Sequence, residues 1–178
     1  MKVLVGLGNP EEKFHYNRHN VGFLFLDFVA SKNQENHFNL NKKCQALILQ
    51  KPDYLLVKPQ TFMNSSGLAV AKILKFANLT SKNLILIHDD LDLPFGDYKI
   101  SPKGPRVHNG VNSVTAYLKT DDFVKIRIGI AGKTYDLVKK SGESMADNYV
   151  LKDFLKEEQE QLTVIFTKIY HDLLLINT

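Results

Sequence analysis

The chain has 178 residues, 44% of them hydrophobic and 24% charged, the balance of an ordinary soluble globular protein, and it is expected to form a single domain over 1–178. One cysteine, Cys44, excludes an internal disulfide, and no apolar run, Leu173 to Ile176 included, approaches a membrane span. Net charge is only +4, yet residues 136–178 hold five Lys against eight Asp or Glu, a net of −3, which leaves +7 on residues 1–135 and suggests an anionic partner such as nucleic acid.

Lys2 to Leu7 reads as a buried strand, broken by Gly8-Asn9-Pro10. It is too short for a secretory apolar segment. A polar loop then runs to Asn17-Arg18-His19. Val21, Leu24, Phe25 and Phe28 have the 3, 4, 7 spacing of an amphipathic helix, with Asn20 at its N-cap position. Cys44 has no Cys or His at ligand spacing, so no zinc motif is present. Gln45 to Leu49 and Tyr54 to Val57 read as a hairpin through Lys51-Pro52-Asp53. The loop Lys58 to Gly67 leads into a helix ending near Asn78. Leu84 to His88 is a continuous apolar run, the mark of a central strand covered on both faces, and His88 to Pro94 reads as its abrupt end. Asp97 to Ser101 is a further short strand, Pro102 to Val107 a basic loop, and His108-Asn109-Gly110 the start of a helix to Leu118. Phe123 to Ile130 alternates as a strand with Lys125 and Arg127 on one face. Leu162, Ile165, Phe166, Ile169 and Leu173 form one stripe of a helix over Glu157 to Leu174. Strands that alternate with helices predict an α/β fold: one twisted, mixed, mostly parallel sheet with helices on both faces.

In such sheets ligands sit beyond the carboxyl ends of the strands. Three polar clusters have that position: Gly8-Asn9, Met63-Asn64 and His88-Asp89-Asp90. His19 and Asn109, in loops entering helices, are placed to join them. A neutral imidazole at His19 can take a proton from water, and a carboxylate on its other nitrogen would fix the tautomer. Asp89, at the end of a rigid strand, is the best candidate. Asn9, Asn64 and Asn109 supply uncharged amides that position a water or stabilise an oxyanion. Structural readings compete with these. Asn20, Asn64 and Asn109 all precede helices and suit N-caps, and Asp90 and Asp92 suit a turn before Pro94. His88 suits a core position, and His15, His37 and His171 suit the surface. The third glycine of a dinucleotide loop would fall at Glu11, so that fingerprint fails. No serine or cysteine sits in a nucleophile elbow. The residue types therefore favour a water-activating hydrolase over a covalent one.

These clusters, with Gly6-Leu7-Gly8-Asn9-Pro10, Arg18-His19-Asn20-Val21-Gly22-Phe23, Lys58 to Gly67, His88 to Gly96, His108-Asn109-Gly110 and Ile126 to Ile130, closely resemble bacterial peptidyl-tRNA hydrolases in order and spacing across essentially the whole chain. The resemblance implies a cytoplasmic, usually monomeric esterase with no metal or other cofactor and no membrane attachment. Its substrate would be peptidyl-tRNA, held by acceptor stem, 3′ end and nascent peptide, and cleaved at the ester on the terminal ribose. It implies His19 as the base, Asp89 as its orienting carboxylate, and Asn9, Asn64 and Asn109 as amides on peptide, water or oxyanion. It also implies Met63, with Phe62, Phe14 and His108, as substrate contacts, and Arg127 as a clamp on the tRNA 5′ phosphate, assisted by Lys99 or Lys103. The chain departs from the family at Phe14, usually tyrosine, at Glu11, usually glycine, and at Asn17, usually threonine. The loop Lys103-Gly104-Pro105-Arg106-Val107 is one residue shorter and less glycine-rich, and is expected to be stiffer and bulkier. Two other readings remain at this point: a non-catalytic RNA-binding relative, and a hydrolase of small esters.

Overall fold

A computed structural model describes residues 1–34, 37–104, 107–133, 135 and 148–176. Seven strands form one sheet in the order β2-β3-β4-β1-β5-β7-β6. The central strands are β1 (Lys2–Gly6), β4 (Tyr54–Pro59), β5 (Leu84–Pro94) and β7 (Val124–Ala131). They run parallel, so their carboxyl ends share one rim. The flanking strands β2 (Asn39–Asn41), β3 (Ala46–Gln50) and β6 (Tyr98–Ser101) pair antiparallel. The expected mixed α/β sheet is therefore present.

Alternation along the strands sends side chains to two cores. Ile85, Ile87, Ile126 and Ile128 face α1 (Val21–Lys32) and α4 (Lys156–Ile176). Leu84, Leu86, Val3 and Val5 face α2 (Ser66–Phe76) and α3 (Asn109–Leu118). All five residues expected on the stripe of the last helix are buried. In α1 burial is wider than the expected stripe. Phe23, Leu26 and Val29 are buried while Leu24 and Phe28 are only half-covered, because α1 lies between the sheet and α4, with Phe25 against Phe166 at 5.5 Å.

Two sequence expectations fail for physical reasons, and one strand goes unread. Strand β5 does not end at His88; it continues to Pro94, paired with β7 through an irregularity between Asp90 and Pro94. Asp90 is consequently a buried residue of that strand, while its Oδ1 accepts from the Asp92 amide at 2.8 Å at the irregularity. Strand β2, Asn-Leu-Asn, is too short and too exposed to show a pattern that reveals a strand.

Two glycines set the approach of α1 to the rim. A Cβ on Gly6 would lie 2.4 Å from the Gly22 carbonyl oxygen, and one on Gly22 would lie 2.5 Å from that of Ile87. The helix start thus rests directly on the backbones of β1 and β5. His19 is carried to the strand ends by that contact. Among the described residues no helix is long and apolar enough to cross a membrane.

Candidate active site

The rim forms a cleft of about 260 Å³ lined by Asn9, His19, Phe62, Met63, Asn64, Asn109, Val150 and Leu151. Asn9 follows β1, while Phe62 to Asn64 follow β4 and form a short 3-10 turn, Met63–Ser65, ahead of α2. His19 sits in another such turn, Arg18–Asn20, ahead of α1.

Asp89 organises the buried floor. Its Oδ1 accepts from His19 Nδ1 at 2.8 Å and from His108 Nε2 at 2.9 Å. Burial alone would push this carboxyl up. The two imidazoles beside it outweigh burial and hold it well below the usual carboxylate range. Both hydrogen-bond roles follow from Asp89 being an ionised acceptor, so the neutral His19 carries its proton on Nδ1.

His108 is the N-cap of α3. Its Nδ1 accepts from the amides of Gly110 at 3.1 Å and Val111 at 3.3 Å. The expected cap Asn109 is instead the first helical residue, and its amide lies exposed at the cleft. The cap fixes His108 as the Nε2–H tautomer. One ligand atom from each of His19, Asp89 and His108 lies within 4.8 Å of the others, a grouping with the makings of a metal site. A metal would need the Nε2 lone pair of His108, and the two amide bonds commit that nitrogen to a proton. The trio fits a hydrogen-bonded cluster better than a ligand set.

The asparagines divide by role. Asn20 occupies the N-cap position of α1 without capping it. Its side chain accepts from the Asn9 amide at 2.8 Å and donates to the Asn9 carbonyl at 3.0 Å. This clamp holds Asn9, whose Oδ1 accepts from Met63 N–H at 2.9 Å. The Asn9 Nδ2 donor is left at the cleft without a partner among the described residues. Asn64 is exposed and caps nothing.

Behind His108 lies His88, fully buried, its ring 4.7 Å from that of His108. Its Nδ1 donates to the Asp89 carbonyl at 2.7 Å, and its Nε2 has no partner among the described residues. Burial, then the neighbouring His108, pushes the imidazole down to about 3. Unfolding restores an ordinary value near 6.5, so the unfolded chain binds a proton that the folded chain refuses. Stability from this group is fully present above about pH 6.5 and is lost as pH falls toward 3. His88→Phe is expected to flatten the stability–pH slope over that window by close to one proton, read by urea melts from pH 7 to 4; an unchanged slope would show that His88 does not titrate on unfolding.

Arg127 lies apart from the cleft, on β7. Its Nε donates to Asp90 Oδ2 at 2.5 Å, and its side chain is 14% exposed. Lys99 is its direct cross-strand neighbour, on the same face of the sheet, and is exposed. Lys103 is exposed in the loop beyond β6. Lys125 is buried, and its ammonium donates to the carbonyls of Pro102 and Asp121 at 2.5 and 3.1 Å. Gly104, at φ +77°, packs on Arg127, where a Cβ would meet Nη1 at 2.5 Å. Pro105 and Arg106, on which the expectation of a stiffer loop depends, lie outside the described residues. Phe14 is half-buried in the turn Glu12–Phe14, away from the cleft lining, with the Lys13 ammonium 4.8 Å from its ring. Neighbouring Glu11 adopts φ +94°, which suits the glycine usual there in the family it resembles.

Sequence reasoning placed His108 with the substrate contacts and missed its bond to Asp89. It also missed Val150 and Leu151, which carry no pattern that marks a cleft.

A family model described as peptidyl-tRNA hydrolase matches residues 3–177. A protein named peptidyl-tRNA hydrolase from Aliarcobacter butzleri (strain RM4018) is 41% identical over 163 residues, 91% of this chain and 84% of its own. One of the same name from Pseudothermotoga lettingae is 39% identical over 176 residues, 94% of this chain and 86% of its own. A crystal structure of peptidyl-tRNA hydrolase from Acinetobacter baumannii superposes with a TM-score of 0.79 at 26% identity, covering 92% of this chain and 81% of that one. A match along nearly the whole length, in sequence and in fold, has one meaning: the chain belongs to the peptidyl-tRNA hydrolase family.

Proposed function

We propose that the protein hydrolyses the ester joining a peptide's terminal carbonyl to the 3′-terminal ribose of tRNA, releasing free peptide and free tRNA. Family membership supports the activity. The observation that carries the assignment of the site is the 2.8 Å contact of His19 with buried Asp89 at a cleft furnished with three asparagine amides.

In this reading His19 Nε2 takes a proton from water as the water oxygen attacks the ester carbonyl. Asp89 holds the Nδ1–H tautomer and stabilises the imidazolium that forms. The Nδ2 donor of Asn9, with Asn64 and Asn109, serves the carbonyl oxygen as charge builds on it, or the attacking water. Collapse of the intermediate breaks the bond to the ribose oxygen, which leaves with the proton from His19. Phe62, Met63, Val150 and Leu151 line the path of the peptide. His108 acts behind the cleft through Asp89, and Phe14, outside the cleft lining, contacts the substrate beyond it. The enzyme works as a monomer in the cytoplasm, and no step is routed through a metal or a cofactor. Purified protein is expected to release deacylated tRNA from an N-acetylated aminoacyl-tRNA; persistence of the ester at micromolar enzyme would refute the reading.

Arg127, with Lys99 and Lys103, takes a tRNA phosphate. Arg127→Ala is expected to weaken tRNA binding and to lower the salt slope by about one. Asp90→Ala is a sharper probe. Removing a negative charge near a phosphate site should tighten binding by bulk electrostatics. If Asp90 serves to aim the guanidinium, its loss weakens binding instead, and that is the expected result in filter binding between 50 and 200 mM salt.

A further inference from the structure

Arg18, the neighbour of His19 in sequence, is 2% exposed. Burying a guanidinium costs several kcal/mol unless its donors are met. Here the two terminal nitrogens are met by one distant segment, while the buried Nε has no partner among the described residues. Nη1 donates to the carbonyls of Asp153 at 2.5 Å and Lys152 at 3.3 Å. Nη2 donates to Glu158 Oε2 at 2.6 Å, and that oxygen also accepts from the Leu155 amide at 2.8 Å. The guanidinium carbon lies 4.4 Å from the centre of the Tyr149 ring and 5.4 Å from that of Phe154. Backbone bonds run alongside, from Arg18 to Lys152 and from Phe154 to Tyr16. Tyr149 in turn is fastened to the end of β7, where its hydroxyl donates to the Ile130 carbonyl and accepts from the Gly132 amide, both at 3.1 Å.

Between Tyr149 and Lys152 stand Val150 and Leu151, which line the cleft together with Phe62 and Met63. Leu151 is 45% exposed and Phe62 55% exposed, so each presents an apolar surface at the cleft. The turn that carries His19 and the segment that carries this wall are joined by the Arg18 side chain and by the two backbone bonds beside it.

We propose that Arg18 is a positioning residue that sets the spacing between His19 and the Val150–Leu151 wall, and through it the affinity for the peptide portion of the substrate. The inference rests on the proposed ester hydrolysis. A buried ion pair is a poor device for stability alone, because well-packed apolar replacements are often as stable or more so. Arg18 differs from a stability element in that two of its bonds go to backbone carbonyls beside the wall, which an apolar side chain leaves unmade.

The test compares wild type, Arg18→Met/Glu158→Leu and Arg18→Lys on one peptidyl-tRNA. The double variant replaces the pair with apolar groups and is expected to melt near the wild-type temperature. Its KM is expected to rise about tenfold, the size of one lost well-packed contact, while kcat changes by less than about threefold and inhibition by deacylated tRNA is unchanged. Arg18→Lys, which keeps the charge and loses the planar fork, is expected to raise KM in the same way and serves alone if the double variant does not fold. A folded double variant, or a folded Arg18→Lys, with wild-type KM overturns the inference. So does a loss confined to kcat, or an equal loss of tRNA inhibition. No turnover by wild type would instead overturn the function on which the inference stands.

Discussion

Asp89→Asn is expected to lower the rate of ester cleavage by about 10²–10³-fold with little change in KM. The surroundings decide which way the new amide sits. In wild type Oδ1 accepts from both His19 Nδ1 and His108 Nε2. The His108 tautomer is fixed by its bonds to Gly110 and Val111, so its Nε2–H always demands an acceptor. A flipped asparagine would set one donor against another. The amide oxygen therefore takes the place of Oδ1, geometry is kept, and the substitution isolates the negative charge. That makes the expected loss smaller than the roughly 10⁴-fold cost of a triad forced into the wrong tautomer. The same variant has a signature in stability. Wild-type Asp89 is held well below the usual carboxylate range, so its contribution is fully present above about pH 4, the value of the unfolded carboxyl, and is lost as pH falls below it. Asparagine has no such contribution to lose, so the gap in stability between the two proteins narrows as pH drops from 5 to 3. A gap that stays constant would mean that the native charge on Asp89 is not favoured by its neighbours.

His19→Ala is expected to be the most damaging single change, at about 10³–10⁴-fold in kcat, because it removes the proton acceptor outright. Any activity that remains is expected to come from substrate binding and from the proposed roles of the Asn9, Asn64 and Asn109 amides. KM should move little, since the imbalance lies in the transition state. The fold should survive, because Asp89 keeps its second donor in His108 and the Gly6–Gly22 contact that seats α1 is untouched. Added imidazole, which fits the vacated ring space, is expected to restore part of the rate in a pH-dependent manner. A variant within threefold of wild type would remove His19 from the chemistry.

Much of this arrangement can be read in the sequence, for a reason that Asn9, Met63 and Asp89 share. Each follows or ends a run of apolar residues long enough to be a strand, and parallel strands bring their carboxyl ends to one rim. Local patterns also announce α3, whose start at Asn109 and end at Leu118 coincide with the expected helix. What could not be read involves partners remote in sequence. Asn20 has the right residue type and position for an N-cap, yet its amide closes on the Asn9 backbone eleven residues away. Asp90 has the composition of a turn, yet pairing with β7 keeps it in a strand, bonded to Arg127. Glu158 looks like one acid in the solvated first turn of a helix, yet it is 8% exposed and bound to Arg18 across 140 residues. In each case propensity describes the residue and tertiary contact decides its role.

Attack of water on the carbonyl of the ester in peptidyl-tRNA can be followed by single-turnover cleavage in ¹⁸O-labelled water, with mass analysis of both products. One labelled oxygen is expected in the new peptide carboxylate, with an unlabelled tRNA whose 3′ terminus is intact, and with loss of the reaction in His19→Ala. Label on the ribose oxygen, cleavage within the tRNA chain, or equal release by His19→Ala would contradict this mechanism.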